Sequence, residues 1–175
     1  MPELNNQNFN HLKIHTQYSI CEGAIKIDNL KDFCKEKKIP CLGLSDTSNL
    51  CGALEFAENI SKVGTQPIIG TQIYFRFEDT TGLLPLIALN ENGYKRIIEL
   101  SSRSYLENDA LSDPHLDVKD LLIDTEGVSL LSGTIQGLFG KLFEKGRLDE
   151  ISKLYRSLSS KFNDNFYLEI QRHGD

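Results

Sequence analysis

The sequence is predicted to fold as one α/β domain with a mostly parallel sheet, either open or closed into a barrel. Apolar runs with strand-like patterning alternate along the chain with segments of helical periodicity, which is the signature of repeated βα units. The 175 residues are 39% hydrophobic and 25% charged, as in ordinary globular domains. A domain of this length buries roughly 70% of the surface of its unfolded chain, so one complete core is expected and two full domains are not.

The first half of the chain contains three predicted strands and two predicted helices. Residues 10–15 (NHLKIH) alternate in polarity as a short strand does, and residues 28–38 form a helix capped by Asp28 or Asn29. A strand over 39–44 then stops at Ser45 and Asp46. The next helix begins near Ser48 and ends at Gly64, and the strand PIIGTQIYFRF follows. The predicted buried stripe of that second helix consists of Leu50, Leu54, Ala57 and Ile60.

The second half continues the alternation after a turn around EDTTG. A strand over 83–90 precedes a helix over 92–106, whose apolar side is predicted to carry Tyr94, Ile97, Ile98 and Leu106. The polar stretch 107–115 is typical of a loop. The remaining predicted elements are a short helix (117–123), a strand (127–133), two helical stretches between Ile135 and Ser160, and a final strand (166–171).

Composition excludes several classes of protein. No apolar run approaches the ~20 residues that cross a bilayer, and the first ten residues lack the basic and apolar regions of a signal peptide, so a soluble cytoplasmic protein with no membrane partner is expected. The net charge of −6 argues against a surface whose main task is to bind phosphate backbones. Four cysteines without CxxC spacing predict buried free thiols rather than a zinc knuckle.

Polar residues follow four of the predicted strands. His15, Asp46, the pair Ser132–Gly133, and His173 each stand at or just beyond the end of a strand. The carboxyl ends of parallel strands share one mouth, so a single convergent site is predicted there. Histidine and carboxylate side chains in such a mouth suggest a metal site. The alternative is that loops simply begin with polar residues.

The segment HLKIHTQYSICEGAIKI resembles the opening motif of the PHP (polymerase and histidinol phosphatase) domains. The resemblance continues in register through LGLSDTSNLCGALEF, KVGTQPIIGTQIYF, LIALNENGYKRIIELSS, GVSLLSG and FYLEIQRHG, and so covers residues 9–175. The longer pattern is similar to the N-terminal domain of the bacterial replicative polymerases, the DNA polymerase III alpha subunits. The ordered set of segments is far more specific than any one of them.

This resemblance implies a distorted (β/α)7-type barrel, truncated at its C-terminal end. Residues 1–175 would be the N-terminal part of a single PHP domain, without the palm, fingers and thumb of a polymerase. Active members of the family bind up to three divalent metals at the strand ends and hydrolyse phosphoester bonds. Metals held in this way activate a water molecule and offset charge on the phosphoryl oxygens.

Carried over position by position, the family's metal ligands are only partly present. His15, Asp46 and His173 match, and Glu22 keeps a carboxylate on a longer arm. Four positions depart from the pattern, namely Lys13, Thr47, Gln72 and Thr134. An ammonium has no lone pair to give a metal and repels it. The resemblance therefore predicts a remnant metal site with no catalytic residue and no required cofactor, with zinc or manganese as residual occupants and magnesium serving only the parent polymerase.

Lys13 suggests a specific hypothesis about charge. The ammonium would replace the missing cation by pairing with Asp46 or Glu22, since carboxylates in a partly buried mouth are costly without a positive partner. The alternative is that Lys13 points to solvent, as most lysines do.

The leading functional hypothesis is an N-terminal PHP domain of a replicative DNA-directed DNA polymerase, a nucleotidyltransferase, in which this domain is inactive. Its implied partners are the polymerase core of the same parent chain, the proofreading exonuclease subunit of the replicative holoenzyme and, through the parent, DNA. The alternatives are a metal-dependent phosphoesterase, a proofreading 3′–5′ exonuclease of the PHP family, and a binding module without enzymatic activity.

Overall fold

The computed structural model describes residues 9–109 and 111–170 and contains one curved sheet of six strands with helices packed against it. The strand order is β1-β2-β3-β5-β6, with the short strand β4 pairing beside β2. The predicted α/β class is therefore confirmed. In the described part of the chain the sheet does not close by strand-to-strand hydrogen bonds, so its two edges are formed by the β1 side and by β6.

The first unit consists of α1 (Ile27–Lys37), β1 (Cys41–Thr47) and α2 (Ala53–Ser61). The N-terminal segment 11–14 runs along the outer edge of β1, where it makes one parallel bridge between Ile14 and Leu44. The strand predicted over 10–15 is thus reduced to a short pairing. Gly43 permits it, because a Cβ there would lie 2.5 Å from the carbonyl oxygen of Leu12.

The next two strands form a hairpin rather than a βα unit. β2 (Gln66–Phe77) runs parallel to β1, whereas β3 (Thr80–Ala88) returns antiparallel to β2 after a turn of two residues. Because parallel neighbours need a long crossover and this turn has room for none, the sheet is mixed. The predicted turn is confirmed, and the expectation of a mostly parallel sheet is corrected for the central hairpin.

The remaining elements complete the other half of the sheet. They are α3 (Glu91–Leu106), β4 (Leu116–Asp117), α4 (Val118–Leu121), β5 (Val128–Leu131), α5 (Leu138–Glu144), α6 (Leu148–Phe162) and β6 (Phe166–Tyr167). β5 pairs antiparallel with β3, and β6 pairs parallel with β5. The predicted strand over 166–171 is therefore shorter than expected within the described residues.

Two apolar clusters hold the elements together. The larger lies between the sheet and helices α3 to α6, with Phe75, Leu84 and Leu100 fully buried. The smaller packs α1 and α2 against β1, around Ile27 and Phe56. No helix in residues 9–109 and 111–170 has the length and apolar character needed to cross a bilayer.

The second helix differs from its prediction in start and in buried face. Ser48 has φ +56°, a left-handed conformation that cannot begin a helix, and the Asn49 amide donates to the carbonyl of Tyr18. The helix begins only at Ala53, and its inward face carries Phe56 and Ile60. Leu54, predicted to be buried, is 72% exposed.

The third helix is rotated relative to its prediction. Ile97 is buried as expected, but Ile98 and Leu106 are 40% and 82% exposed. Arg96 occupies part of the inward face, because its guanidinium donates to the carbonyls of Asp120 and Asp124 and is satisfied there. A charged residue with backbone acceptors inside the fold shifts the apolar stripe that hydrophobicity alone predicts.

Candidate functional site at the mouth of the sheet

Asp46 stands near the end of β1 with its carboxylate fully buried. One carboxylate oxygen accepts hydrogen bonds from the backbone N–H of Thr16 (2.6 Å) and from the hydroxyl of Ser19 (2.7 Å). The other accepts from the hydroxyl of Thr16 (2.7 Å). Both oxygens of this buried carboxylate thus have hydrogen-bond partners supplied by the protein itself.

Thr47 and Gln72 extend this network toward the surface. The Gln72 amide donates to the Thr47 hydroxyl at 2.7 Å, and that hydroxyl donates in turn to the exposed carboxylate of Glu22. The backbone N–H of Thr47 donates to Ser19 at 3.0 Å, so the two networks share the Ser19 hydroxyl. Thr47 and Gln72, which depart from the family's ligand pattern, are thus linked by hydrogen bonds to Glu22, which was predicted to bind metal.

Lys13 forms an ion pair, but with a partner that the sequence hypothesis did not name. Its ammonium lies 2.9 Å and 3.3 Å from the two carboxylate oxygens of Glu169, and both side chains are mostly buried. Asp46 and Glu22, the partners expected, are occupied by Thr16, Ser19 and Thr47 instead. The predicted pairing of Lys13 with Asp46 or Glu22 is therefore wrong, and its carboxylate partner is Glu169.

A cavity of about 330 Å³ opens at the mouth beside this ion pair. Its walls are Lys13, His15, Glu22, Gln72, Leu83, Gly133, Thr134, Gln136 and Gly137. The structure therefore gathers residues from the N-terminal segment, β2, β3 and the loop after β5 around one cavity. Asp46 does not line the cavity. His173 lies outside the described residues.

Three further polar side chains lie near the mouth, namely His15, Tyr74 and Tyr18. The Nδ1 atom of His15 is buried and has no hydrogen-bond partner among the residues that the structure describes. Burial, reinforced by the charges of Glu22 and Asp113, raises the pKa of Tyr74. On the other side of the loop, the Glu55 carboxylate accepts a 2.6 Å hydrogen bond from Tyr18 and raises the pKa of that hydroxyl.

The described residues do not fit a metal centre. Within 9–109 and 111–170, no three histidine, cysteine, aspartate or glutamate side chains are grouped so as to hold an ion. A divalent metal needs about four ligands with free lone pairs, whereas both oxygens of Asp46 already accept hydrogen bonds and Lys13 places a positive charge in the wall of the neighbouring cavity. The mouth is built as a network of hydrogen bonds and one ion pair.

Three residues that matter most to this network were missed by sequence reasoning. Thr16 and Ser19 supply all three donors to Asp46, and Glu169 pairs with Lys13. The hydroxyls in TQYS directly after His15 were an available signal, since Ser and Thr commonly bond carboxylates and backbone near strand ends. For Glu169 the available signal was an acidic residue at the end of the last predicted strand.

Comparison with curated proteins finds relatives that all bear the name DNA polymerase III subunit alpha. The chain is 38% identical to that of Caulobacter vibrioides, 36% to that of Rickettsia felis and 34% to that of Thermus aquaticus. These matches cover 99%, 94% and 95% of the chain but only 16%, 14% and 15% of the relatives. The chain thus spans about a sixth of the length of the proteins that it resembles.

Comparison with solved structures gives a weak likeness, to an amidohydrolase from Chromobacterium violaceum. The identity is 13% and the TM-score 0.42, over 84% of this chain and 54% of the other, which is too low to support a conclusion. The comparison with family models is decisive. The model described as "PHP domain" matches residues 11–173, which include both the N-terminal segment and the last strand. The chain belongs to the PHP domain family.

Proposed function

We propose that this chain serves as a non-catalytic PHP domain of a replicative DNA polymerase. In that role it stabilises the polymerase core of the same parent chain and docks the separate proofreading exonuclease subunit of the replicative holoenzyme. The parent carries the DNA-directed DNA polymerase activity, with its magnesium and its DNA, in the cytoplasm. Residual zinc or manganese at His15, Glu22, Asp46 and His173 is not required for this function.

One observation carries the proposal, namely that the acidic groups at the mouth are satisfied by protein atoms. Three donors hold the Asp46 carboxylate, the Thr47 hydroxyl holds Glu22, and the Lys13 ammonium pairs with Glu169. Hydrolysis of a phosphoester by bound metals requires ligand lone pairs and an open coordination position. The relatives' shared name supports the polymerase context, since the similarity extends over nearly the whole chain.

The absence of catalysis is tested with a phosphodiesterase assay. The purified chain is incubated with bis(p-nitrophenyl) phosphate, and separately with a 3′-labelled single-stranded oligonucleotide, in the presence of manganese, zinc or EDTA. We expect no turnover above the buffer rate under any condition. Manganese- or zinc-dependent turnover that disappears in Asp46→Asn would instead establish the phosphoesterase or exonuclease alternative.

The docking role is tested by direct binding. The chain is immobilised, and the purified proofreading exonuclease subunit from Caulobacter vibrioides is passed over it in a biolayer interferometry experiment. Saturable binding with a defined stoichiometry is expected, and an unrelated domain of similar net charge serves as the control surface. Equal signals on both surfaces would contradict the docking role while leaving the result of the phosphodiesterase assay unaffected.

A further inference from the structure

The ion pair at the mouth joins the two opposite edges of the sheet. The strand order runs from β1 at one side to β6 at the other. Lys13 lies on the segment that pairs with the outer edge of β1, through the bridge of Ile14 to Leu44. Glu169 lies just beyond β6, at the other edge. A contact between them requires the sheet to curl until its edges meet at this end.

Both partners are held in place by backbone anchors. On the β1 side, the N–H of Ile14 donates to the carbonyl of Gly43 (3.1 Å) and the N–H of Ser45 donates to the carbonyl of Ile14 (2.8 Å). On the β6 side, the N–H of Glu169 donates to the Ser132 hydroxyl at 2.9 Å. Little backbone freedom then remains to be lost when the ion pair forms, because the two backbones already hold the charged side chains close to each other.

The environment of the pair favours a real contribution to stability. The side chains of Lys13 and Glu169 are only 18% and 17% exposed, and the ammonium contacts both carboxylate oxygens. Exposed ion pairs contribute little because water screens them and their side chains are free, whereas a largely buried charge that loses its partner is costly. Removing either Lys13 or Glu169 would therefore leave a largely buried charge without its partner, at a substantial cost in stability.

We propose that Lys13 and Glu169 form a metal-independent clasp that holds the two edges of the sheet together and closes the barrel at its mouth. A shared metal ion holds several strand ends together by binding ligands from each of them. In this clasp the ammonium of Lys13, which is part of the chain itself, takes the place of that ion. Lys13 and Glu169 are positioning residues, since the clasp sets the separation between the N-terminal segment and the end of β6. This inference does not depend on the polymerase context.

Hydrogen exchange measured by mass spectrometry or NMR tests the clasp in the intact chain. In Lys13→Met or Glu169→Gln, the amides of Ile14 and Glu169 are expected to exchange about tenfold faster, as expected when a largely buried charge loses its partner. The charge-swapped variant Lys13→Glu with Glu169→Lys should recover most of the protection. Lys31→Met, which removes the exposed ion pair with Asp28, serves as the matched control and should leave both amides unchanged.

A second measurement uses the unaltered chain, so that it holds even if a single variant fails to fold. Raising the salt concentration should increase exchange at Ile14 and Glu169 together, whereas EDTA, manganese or zinc should have no effect on either amide. Purely additive effects of the two single substitutions, or loss of protection on adding EDTA, would overturn the clasp.

Discussion

Asp46 shows at the scale of a single residue how a predicted ligand becomes a structural group. Its carboxylate is fully buried and accepts from Thr16 twice and from Ser19 once. Hydrogen bonds to an ionised acceptor are about twice as strong as neutral ones, so the group fastens the loop after the N-terminal segment onto β1. The residue thus contributes to stability through the same oxygens that a metal would need.

Replacing Asp46 with asparagine is therefore expected to destabilise the fold. The substitution removes the negative charge and points an N–H₂ group at one of the donors from Thr16 or Ser19. A loss of about 2–3 kcal/mol in the free energy of unfolding follows from leaving a buried donor unsatisfied. Urea denaturation followed by circular dichroism measures it.

The matched control is Asp32→Asn, the same chemical change on the exposed face of α1. It should alter the free energy of unfolding by less than about 0.5 kcal/mol, as surface substitutions usually do. Equal losses in the two variants would show that the hydrogen bonds of Asp46 contribute nothing of their own.

From the sequence, the location of the site could be predicted better than the ion pair and hydrogen bonds within it. Strand ends predicted that His15, Asp46, Ser132–Gly133 and His173 share one mouth; His15 and Gly133 line the cavity there, whereas Asp46 does not and His173 lies outside the described residues. The pairing of Lys13 could not be predicted, because 156 positions separate it from Glu169 and no local pattern carries that information. Local spacing also says nothing about which hydroxyls turn inward toward a carboxylate.

At the scale of elements, an ion pair joins the β2–β3 turn to the start of α6. The Arg147 guanidinium bonds both carboxylate oxygens of Asp79, with one contact at 2.8 Å. This interaction lowers the pKa of Asp79 from 3.8 to about 2. The turn that replaces a crossover helix between β2 and β3 is thereby tied to a helix far along the chain.

The lowered pKa of Asp79 predicts a specific dependence of stability on pH. A carboxyl group with a depressed pKa in the folded state stabilises the fold above its unfolded pKa and loses that contribution as the pH falls through the folded value. The contribution should therefore be complete above about pH 4 and vanish toward pH 2. In Arg147→Met the free energy of unfolding should fall at neutral pH, and its slope between pH 4 and pH 2 should become shallower.

Arg156→Met provides the control for this titration, since Arg156 lies on the same helix and forms no ion pair with any residue in the described ranges. Its pH profile should parallel that of the unaltered chain. Because the Asp79 side chain is 65% exposed and that of Arg147 is 31% exposed, added salt should reduce the difference between Arg147→Met and the unaltered chain. Identical slopes below pH 4 in all three proteins would contradict the assignment.

The identity of the elements could be predicted more reliably than their faces. Helical and strand periodicity located α1, α3 and the two strands on either side of the β2–β3 turn to within a few residues. The predicted inward faces of α2 and α3 were right at Ile60 and Ile97 but wrong at Leu54, Ile98 and Leu106, because tertiary contacts decided them. Asn49 delays the start of α2, and the buried Arg96 displaces apolar residues from the inner face of α3.

At the scale of the whole molecule, apolar side chains collect on one side of the structure. Two grooves of about 540 and 430 Å³ share Phe139 and Ile151 as walls, so the surface is continuous across α5, α6 and the residues after β6. Ile135, Phe143 and Leu168 are 63%, 69% and 63% exposed along it. Exposed apolar side chains and two adjoining grooves therefore form one continuous surface here.

This surface is expected to bind the dye ANS. Phe143→Ser and Leu168→Ser, each of which removes an exposed apolar wall or rim, should lower the dye's fluorescence with the fold retained in circular dichroism. Ile123→Ser removes a side chain that is 72% exposed but lines neither groove, and it should leave the fluorescence unchanged. An equal decrease in all three would mean that the dye does not distinguish this surface.

The separation of Lys13 from Glu169 has a consequence for how the protein is made. A ribosome adds about 5–20 residues per second, so roughly 8–30 seconds pass between the synthesis of these two residues, which lie 156 positions apart. During that interval the N-terminal segment is held to β1 by its backbone bonds and by the hydrogen bonds of Thr16 and Ser19 to Asp46, without the ion pair. The contact between Lys13 and Glu169 cannot form before that interval has passed, and its loss is expected to speed unfolding more than it slows refolding.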